Sequence, residues 1–348
     1  MGFDKDKIIE LLRGVVHPET GINIVESRVV TSLDVEEDKI AIVLSFQKVR
    51  DPFASKIERS IRSLLSETAP GVDVDIRIAT RKQPEQPERR SFAGSIARVI
   101  AVASGKGGVG KSTVAANLAI ALRDLGLRVG LLDADIYGPS QTKMFGCEGA
   151  VPEAQHIDGV DVILPVEVQG IKLMSIGFFV QPDDAMLWRG PMASNALRQF
   201  VHQTLWGELD FLLIDLPPGT GDVHLSMISE IRIDGAVIVS TPQQVAVADV
   251  ARGVAMFRNP QVNIPVIGVV ENMAWFTPRE LPDNRYYIFG HGGAARYAAE
   301  NGLELLGQIP MIEAVAECSD EGEPVVSKNE ETGVYYRKVA DRIVEKCR

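Results

Sequence analysis

The residues with the clearest chemical potential form a glycine-rich segment that satisfies the pattern G-x-x-x-x-G-K-[ST]. Its members are Gly105, Lys106, Gly107, Gly108, Val109, Gly110, Lys111 and Ser112. Glycines let the backbone curl so that successive N–H groups converge on an anion, and a following helix adds the positive end of its dipole. An apolar run precedes the segment and a helical pattern follows it, as in phosphate-binding loops. We therefore predict an ATP site, with Lys111 on the β- and γ-phosphates and Ser112 on Mg²⁺.

Lys106 is a second lysine inside this loop, and the general pattern does not require it. Its side chain cannot easily fold back onto the phosphates that Lys111 holds. Two interpretations stay open: Lys106 reaches a nucleotide bound by a partner subunit, or it lies in solvent.

Two acidic loops follow apolar runs, LLDADIYGPS and FLLIDLPPGTGD. Because open α/β sheets bind ligands at the carboxyl ends of their strands, we expect both loops near the phosphates. Asp215 is the predicted holder of the Mg²⁺ shell, and Asp135, further out on its loop than Asp133, is predicted to orient the attacking water. A cap or a turn is the alternative for either carboxylate. Residues 219–222 (GTGD) are a candidate γ-phosphate sensor.

Two further polar residues follow later apolar runs. Asn272, in VVENM, is predicted to end a strand and to hydrogen-bond adenine, with an Asx turn as the alternative. His291, in FGHGGAARYAAE, is expected to cap the next helix rather than to bind a metal.

The elements that must position these residues begin at Arg98, where short apolar runs alternate with helical stretches. This alternation is typical of a mainly parallel, doubly wound α/β sheet, here the P-loop NTPase fold. Predicted strands include FLLID, GAVIVS and PVIGVV, and residues 333–347 are predicted to form a final helix that packs on the sheet.

Residues 1–82 are predicted to form a separate small α+β domain with the order α-β-β-α-β, including a strand at Ile24–Val30. Residues 83–97 are mostly polar and contain Pro84 and Pro87. They are predicted to be a linker before an ATPase domain at 98–348.

Composition narrows the classes of function. The 348 residues include 36 Lys+Arg and 47 Asp+Glu, a net charge of −11, which argues against broad nucleic-acid binding. No apolar run is long enough to span a bilayer, and the charged N-terminal segment is unlike a signal peptide. Three scattered cysteines do not suggest a disulfide framework, so we expect a cytoplasmic protein.

The motif set resembles the Mrp/ApbC family of deviant-Walker ATPases, whose group includes MinD, ParA and the arsenite-pump ATPases. GKGGVGKST, DADIYGPS, DLPPGTGD, STPQQVAVADVARG and VVENM carry the resemblance over about residues 95–345. It implies an ATP-binding homodimer that carries iron–sulfur clusters to apoproteins or assembly factors. It also implies that Lys106 acts across the dimer and that Lys111, Ser112 and Thr113 hold phosphates and Mg²⁺. Asp135 and Asp215 match the family's two switch aspartates.

Residues 1–80 resemble a small SufT-like domain of iron–sulfur assembly, with two departures. His17-Pro18-Glu19 stands for the usual Asp-Pro-Glu, and Arg50-Asp51-Pro52 for the usual cysteine before proline. Many relatives also carry a CxxC pair after VVENM that bridges a [4Fe–4S] cluster between subunits. Residues 274–284 here contain no cysteine, and Cys147, Cys318 and Cys347 are isolated.

Three functions compete. The first is an ATP-hydrolysing carrier or scaffold for iron–sulfur clusters, gated by nucleotide. The second is a MinD/ParA-like positioning ATPase, which needs a membrane helix or a basic DNA-binding face. The mixed charge of the C-terminal segment and the net charge of −10 of the ATPase domain speak against both. The third is an ATP-gated clamp that binds client proteins without a cluster.

Overall fold

The structure is a computed structural model of the chain. It describes residues 5–18, 21–27, 29–35, 39–46, 53–68, 72–80, 95–157, 159–179, 190–219, 224, 228, 232–260 and 262–347, with only the backbone of residues 6, 79, 80 and 190–195. The chain divides into two compact units, Met1–Arg90 and Ser91–Arg348. Most of the predicted linker, along with Glu19, residues 50–52 and Asp222, lies outside the described residues.

The small unit is a three-stranded sheet with two helices. Its elements are α1 (Lys5–Leu12), β1 (Val30–Val35), β2 (Lys39–Phe46), α2 (Ala54–Thr68) and β3 (Asp73–Thr80). The sheet order is β1-β2-β3, with β1 antiparallel and β3 parallel to β2. Ile57, Ile61 and Leu65, spaced along one face of α2, are buried in its apolar core.

The strand predicted at Ile24–Val30 is wrong in position, because β1 begins only at Val30. The Oδ1 atom of Asn23 accepts hydrogen bonds from the backbone N–H groups of Val25 (3.2 Å) and Glu26 (2.8 Å). This Asx-type turn holds residues 24–27 out of an extended conformation.

The large unit is built on an eight-stranded sheet. Its strands are β4 (Ile96–Ala103), β5 (Val129–Asp133), β8 (Val166–Val168), β9 (Ile171–Ser175), β10 (Leu209–Asp215), β11 (Gly235–Ser240), β12 (Val266–Phe276) and β13 (Leu305–Met311). The order is β13-β12-β11-β4-β10-β5-β9-β8, and all neighbours are parallel except β8 and β9. β6 (Ala154–Ile157) and β7 (Val160–Ile163) form a separate antiparallel pair.

Helices cover both faces of this sheet, as its apolar strands require. They are α3 (Lys111–Asp124), α4 (Gln141–Met144), α5 (Gly190–Gln203), α6 (Gln244–Arg258), α7 (Gly293–Glu300), α8 (Glu313–Asp320), α9 (Val325–Lys328) and α10 (Glu330–Cys347). One core layer joins the sheet to α5, α6 and α7, and the other joins it to α3 and α10. The mainly parallel doubly wound fold, the predicted strands and the final helix are confirmed.

The strand order places β4 at the centre of the sheet, between β10 and β11. From β4 the chain moves to β5 on one side and later to β11 on the other, so the carboxyl end of β4 lies at a topological switch point. Such points form the ligand-binding crevice of open α/β sheets. Among the helices described, none combines the length and apolar character that crossing a bilayer requires.

Candidate nucleotide site

The phosphate loop leaves the carboxyl end of β4 and opens α3. Gly108 (φ 79°) and Gly110 (φ 78°) adopt left-handed backbone conformations that other residues rarely tolerate. A Cβ atom on Gly110 would lie 2.4 Å from Nδ2 of Asn272. The first turn of α3 carries Lys111, Ser112 and Thr113, and its free N–H groups point towards the loop.

Gly105 is required by packing rather than by its own backbone angles. A Cβ atom at this position would lie 2.3 Å from the backbone carbonyl of Asp249, in α6. The phosphate loop therefore rests directly on the backbone of α6, and the helix fixes the height of the loop above the sheet.

Lys111 and Asp215 form a buried ion pair, with the ammonium in contact with Oδ1 of the carboxylate. The Lys111 side chain is 6% exposed and that of Asp215 is fully buried. Lys111 Nζ also donates to the hydroxyl of Ser112 at 3.1 Å. Removing either partner would leave the other buried without a counter-charge, which is costly in the protein interior.

Gln141 completes the arrangement from the start of α4. Its Nε2 donates to Oδ2 of Asp215 at 2.8 Å and to the backbone carbonyl of Ser112 at 3.0 Å. Its backbone N–H donates to Oδ2 of Asp133 at 3.2 Å. One fully buried residue thus joins the phosphate loop helix, the Asp133 loop and the end of β10.

Asp133 is buried beside Asp215, at paired positions of neighbouring strands. Its carboxylate accepts from the Ser175 hydroxyl at 2.9 Å and from the Asp135 N–H at 3.2 Å. Burial, and then the nearby charge of Asp215, raise the pKa of Asp133 to about 7, against which these hydrogen bonds act.

Asp135 lies further out, half-buried on the same loop. Burial raises the pKa of its carboxyl above the usual range, while the charge of Lys111 acts in the opposite direction. Asp135 is thus close enough to Lys111 for the lysine charge to favour its ionised form. Tyr137, two residues on, is 56% exposed.

Lys106 is half-buried in the loop. Its Nζ donates to Oε1 of Gln243 at 3.2 Å, just before α6, and its carbonyl accepts from the Ser104 hydroxyl at 3.0 Å. Within one chain the ammonium therefore has a single uncharged partner among the described side chains.

Asn272 lies inside β12, which continues to Phe276, so the expectation that it ends the strand is wrong. Its Nδ2 donates to the backbone carbonyl of Val109 at 2.8 Å, and this bond ties β12 to the phosphate loop. The next residue, Met273, has a φ of 54°, where the pairing with β13 becomes irregular. Hydrogen bonding of Asn272 to adenine remains a prediction.

The expected cap at His291 is also wrong. Glu271, fully buried on β12, caps α7 by accepting from the N–H groups of Ala294 (2.7 Å) and Ala295 (3.2 Å). The negative charge of its carboxylate meets the positive end of the helix dipole. The ring of His291 instead lies edge-on to Tyr287, with centroids 4.3 Å apart.

The loop after Asp215 is held by a buried histidine. Nε2 of His224 donates to the carbonyl of Pro217 at 2.7 Å. Gly219 belongs to the predicted γ-phosphate sensor and has a left-handed φ of 102°. The rest of that segment, residues 220–222, lies outside the described residues.

A cavity of about 580 Å³ opens at the carboxyl ends of β12 and β13. Its walls include Trp275, Arg285, Pro310, Ile312 and Tyr335. The guanidinium of Arg285 lies 4.5 Å from the centre of the Trp275 ring. The lining is mixed, because charged and polar side chains of both signs accompany the aromatic rings. The cavity opens at the same edge of the sheet as the phosphate loop, and its rings offer a stacking surface to a planar ligand group.

The three cysteines lie apart in the fold. Cys147 follows α4, Cys318 is buried on α8, and Cys347 ends α10. Burial raises the pKa of all three thiols, that of Cys147 to about 11. Among the residues that the structure describes, no group of three or more His, Cys, Asp or Glu side chains is arranged to hold a metal ion.

The structure brings Lys111, Ser112 and Asp215 into contact at the start of α3. Asp135 lies on the Asp133 loop, which Gln141 joins to them. Sequence reasoning missed Gln141, Gln243 and Glu271, whose contacts all join segments distant in the chain. Each had a local signal, since Gln243 and Glu271 lie inside the STPQQVAVADVARG and VVENM motifs and Gln141 directly follows DADIYGPS.

The fold and this site define a P-loop NTPase. A family model described as NUBPL iron-transfer P-loop NTPase matches residues 95–346, and a second, described as iron-sulfur cluster assembly protein, matches residues 5–77. The chain belongs to the family of NUBPL iron-transfer P-loop NTPases.

Individual relatives agree with this placement. An iron–sulfur cluster carrier protein of Synechocystis is 40% identical over 330 residues, which cover 94% of this chain and 92% of the relative. A nucleotide-binding protein of Archaeoglobus fulgidus, solved in complex with ADP, is 41% identical, with a TM-score of 0.57 over 65% of this chain and 87% of that one. The cell division ATPase MinD of Pyrococcus furiosus is 22% identical, with a TM-score of 0.52 over 72% and 99%, and shows the fold alone.

Proposed function

We propose that this protein binds and hydrolyses Mg²⁺-ATP and uses the nucleotide cycle, as a homodimer, to carry iron–sulfur clusters to apoproteins. The observation that carries the proposal is the buried Lys111–Asp215 pair at the mouth of a phosphate loop, in a chain whose relatives are named iron–sulfur cluster carriers.

The donor set suits magnesium. The Ser112 hydroxyl and the Asp215 carboxylate are hard oxygen ligands, which Mg²⁺ prefers. A magnesium-bound triphosphate offers each member of the ion pair a new partner, phosphate oxygens for Lys111 and the metal for Asp215. The exchange keeps both buried charges compensated, so binding does not strand either one. When bound, Mg²⁺ supplies charge neutralisation to the phosphates.

Hydrolysis needs a water in line with the bond between the β- and γ-phosphates. Asp135, half-buried and within the electrostatic influence of Lys111, is the proposed residue that orients this water. The water oxygen bonds to the γ-phosphorus while the bond to the bridging oxygen breaks, and that oxygen leaves with ADP. One proton of the water is released to solvent, and inorganic phosphate is the second product. Lys111 and the N–H groups of the loop stabilise the charge on the phosphate oxygens.

The base of the nucleotide is proposed to occupy the cavity at the ends of β12 and β13. Asn272 joins that side of the sheet to the phosphate loop through Val109. A nucleotide that spans both places would couple the loop to the segment after β12.

Dimerisation would place the face that carries the phosphate loop against a second copy. Tyr137 lies on the Asp133 loop and is 56% exposed, and Val245 lies in the first turn of α6 and is 70% exposed. Apolar side chains at such positions favour a protein partner. Lys106 would then exchange Gln243 for the phosphates of the partner subunit's nucleotide.

The cluster is cargo, and its ligands differ from the CxxC pair of many relatives, since residues 274–284 hold no cysteine. Four thiolates are the usual requirement of a cubane cluster. We expect that thiols of the client, or cysteines brought together by two copies, complete the ligand set.

The central test is ATP turnover combined with anaerobic reconstitution. Full-length protein is incubated with iron and sulfide, and the visible absorbance of a bound cluster is followed with and without Mg²⁺-ATP. A Cys147→Ser/Cys318→Ser/Cys347→Ser variant serves as the control for ligands from this chain. Protein that hydrolyses ATP but never acquires a cluster would point to the second candidate, an ATP-gated client clamp, which the missing cysteine pair favours.

Lys106→Ala tests the role across the dimer. We expect ATP affinity close to that of the wild type, because Lys111 still holds the phosphates, and loss of most turnover. Lys143→Ala, which removes an exposed lysine of α4, is the matched control. Normal hydrolysis by Lys106→Ala would refute the action of this lysine on a partner's nucleotide.

A further inference from the structure

Gln141 stands out because half of its amide has no hydrogen-bond partner. The side chain is fully buried, and its Oε1 has no partner among the described residues. Buried polar atoms are nearly always satisfied, so an unpaired acceptor beside a ligand site indicates a donor that arrives with the ligand.

The orientation of this amide is fixed by chemistry. The atom assigned as Nε2 lies 2.8 Å from Oδ2 of Asp215 and 3.0 Å from the carbonyl of Ser112. Both neighbours are acceptors, so only the NH₂ group can occupy that position, where its two hydrogens are donated to these acceptors. The unpaired atom is therefore the carbonyl oxygen.

The location of that oxygen limits its donor. It shares a carbon atom with Nε2, which places it next to Asp215 and close to the residue that carries the Ser112 hydroxyl. Magnesium bound by these two residues would retain several water molecules, because Mg²⁺ loses its hydration shell reluctantly. A water polarised by the metal is a strong donor.

We propose that Gln141 is a positioning residue for the magnesium ion. Its Nε2 holds Oδ2 of Asp215 and leaves Oδ1, which Lys111 contacts in the structure, available to the metal, and its Oε1 would accept a hydrogen bond from the hydration water of that ion. Its backbone bond to Asp133 extends the same support to the loop that carries Asp135. This inference rests on the proposed function, since it requires Mg²⁺-nucleotide at this site.

The test measures metal affinity apart from turnover. Mn²⁺ replaces Mg²⁺ as a paramagnetic probe, and its binding to the full-length protein with saturating ATP is titrated by electron paramagnetic resonance. ATP affinity in EDTA is measured in parallel by calorimetry. Loss of a residue that hydrogen-bonds a metal ligand typically lowers metal affinity by about 10–100-fold. We expect Gln141→Leu to weaken Mn²⁺ binding by roughly that factor and to leave ATP affinity in EDTA unchanged.

Thr142→Val is the control, because Thr142 is buried next to Gln141 on α4 and does not contact Asp215 or Ser112 through its side chain. It should bind Mn²⁺ like the wild type. Gln141→Met, unbranched and of similar length, repeats the test if the leucine variant does not fold. Wild-type Mn²⁺ affinity in a folded Gln141→Leu or Gln141→Met variant would overturn the inference alone. Wild-type protein that binds no ATP under any condition would overturn the proposed function instead.

Discussion

The two units of the molecule bury different kinds of side chain. Among the described residues of the small unit, the buried polar side chains are those of His17 and Ser45, and the rest of its core is apolar. The large unit buries Lys111, Asp133, Asp215 and Glu271. Asp133 and Asp215 end their strands, Lys111 opens α3, and Glu271 lies within β12.

This difference suggests different roles for the buried residues of the two units. Buried charges add little to stability and are retained where they perform a task. The large unit gathers Lys111, Asp133 and Asp215 beside one loop, whereas the described core of the small unit is mainly apolar.

The largest expected effect comes from breaking the buried ion pair. Lys111→Ala removes the charge proposed to hold the phosphates and leaves buried Asp215 with Gln141 as its remaining side-chain partner among the described residues. We expect ATP affinity to fall by at least about 100-fold, and the free energy of unfolding to fall by about 3–5 kcal/mol. Calorimetry and denaturant unfolding measure the two effects, with Lys143→Ala as control. ATP binding within a few-fold of the wild type would contradict the assigned role.

The opposite side of the comparison is tested by Ile61→Ala. Ile61 is fully buried in α2, and its truncation should destabilise the small unit by about 2–5 kcal/mol. Hydrogen exchange of residues 54–68 measures that loss. ATP affinity should not change, because every described residue of the nucleotide site belongs to the large unit. A parallel loss of ATP affinity would show that the units are coupled.

A smaller effect is expected from Gly105→Ala. The new methyl group would meet the carbonyl of Asp249, and the shift this forces should lower the free energy of unfolding by about 1–3 kcal/mol and weaken ATP binding. Gly126→Ala is the matched control: its φ is 81° and the space around it is open, so only backbone strain of about 1 kcal/mol is added, beyond the end of α3 that is far from the phosphate loop. Equal effects on ATP binding would argue against the contact with α6.

The last prediction concerns pH, where the effect is gradual and spread over about three pH units. Because burial raises the pKa of Asp133 to about 7, the folded state holds its proton more tightly than the unfolded state. The contribution of Asp133 to stability therefore falls as pH rises from about 4 to about 7, by at most about 1.4 kcal/mol per pH unit. The Asp133→Asn side chain cannot ionise, so this substitution should flatten the pH dependence of the free energy of unfolding. Denaturant unfolding followed by tryptophan emission between pH 5 and 8 measures it. Exposed Asp283→Asn should keep the wild-type slope, and a slope in Asp133→Asn equal to the wild type would disprove the shift.

Sequence reasoning reached those parts of the site that local motifs encode. The glycines, Lys111 and Asp215 are set by strand–loop–helix patterns a few residues long. Gln141 was beyond its reach because its partner, Asp215, is 74 residues away and only the sheet order brings them together. The misplaced first strand has a local cause. The apolar residues at Ile24–Val30 favour a strand, but the Asn23 side chain accepts hydrogen bonds from the backbone N–H groups that follow it and holds them in a turn.

The stacking of Arg285 on Trp275 gives the protein a built-in optical reporter. An indole beside a cationic group and at the wall of the cavity changes its emission when a neighbour moves or a planar ring enters. Trp206, by contrast, is fully enclosed and supplies a steady background. Occupancy of the cavity can thus be titrated in unlabelled protein, and a Trp275→Phe substitution would silence the signal while leaving an aromatic wall in place.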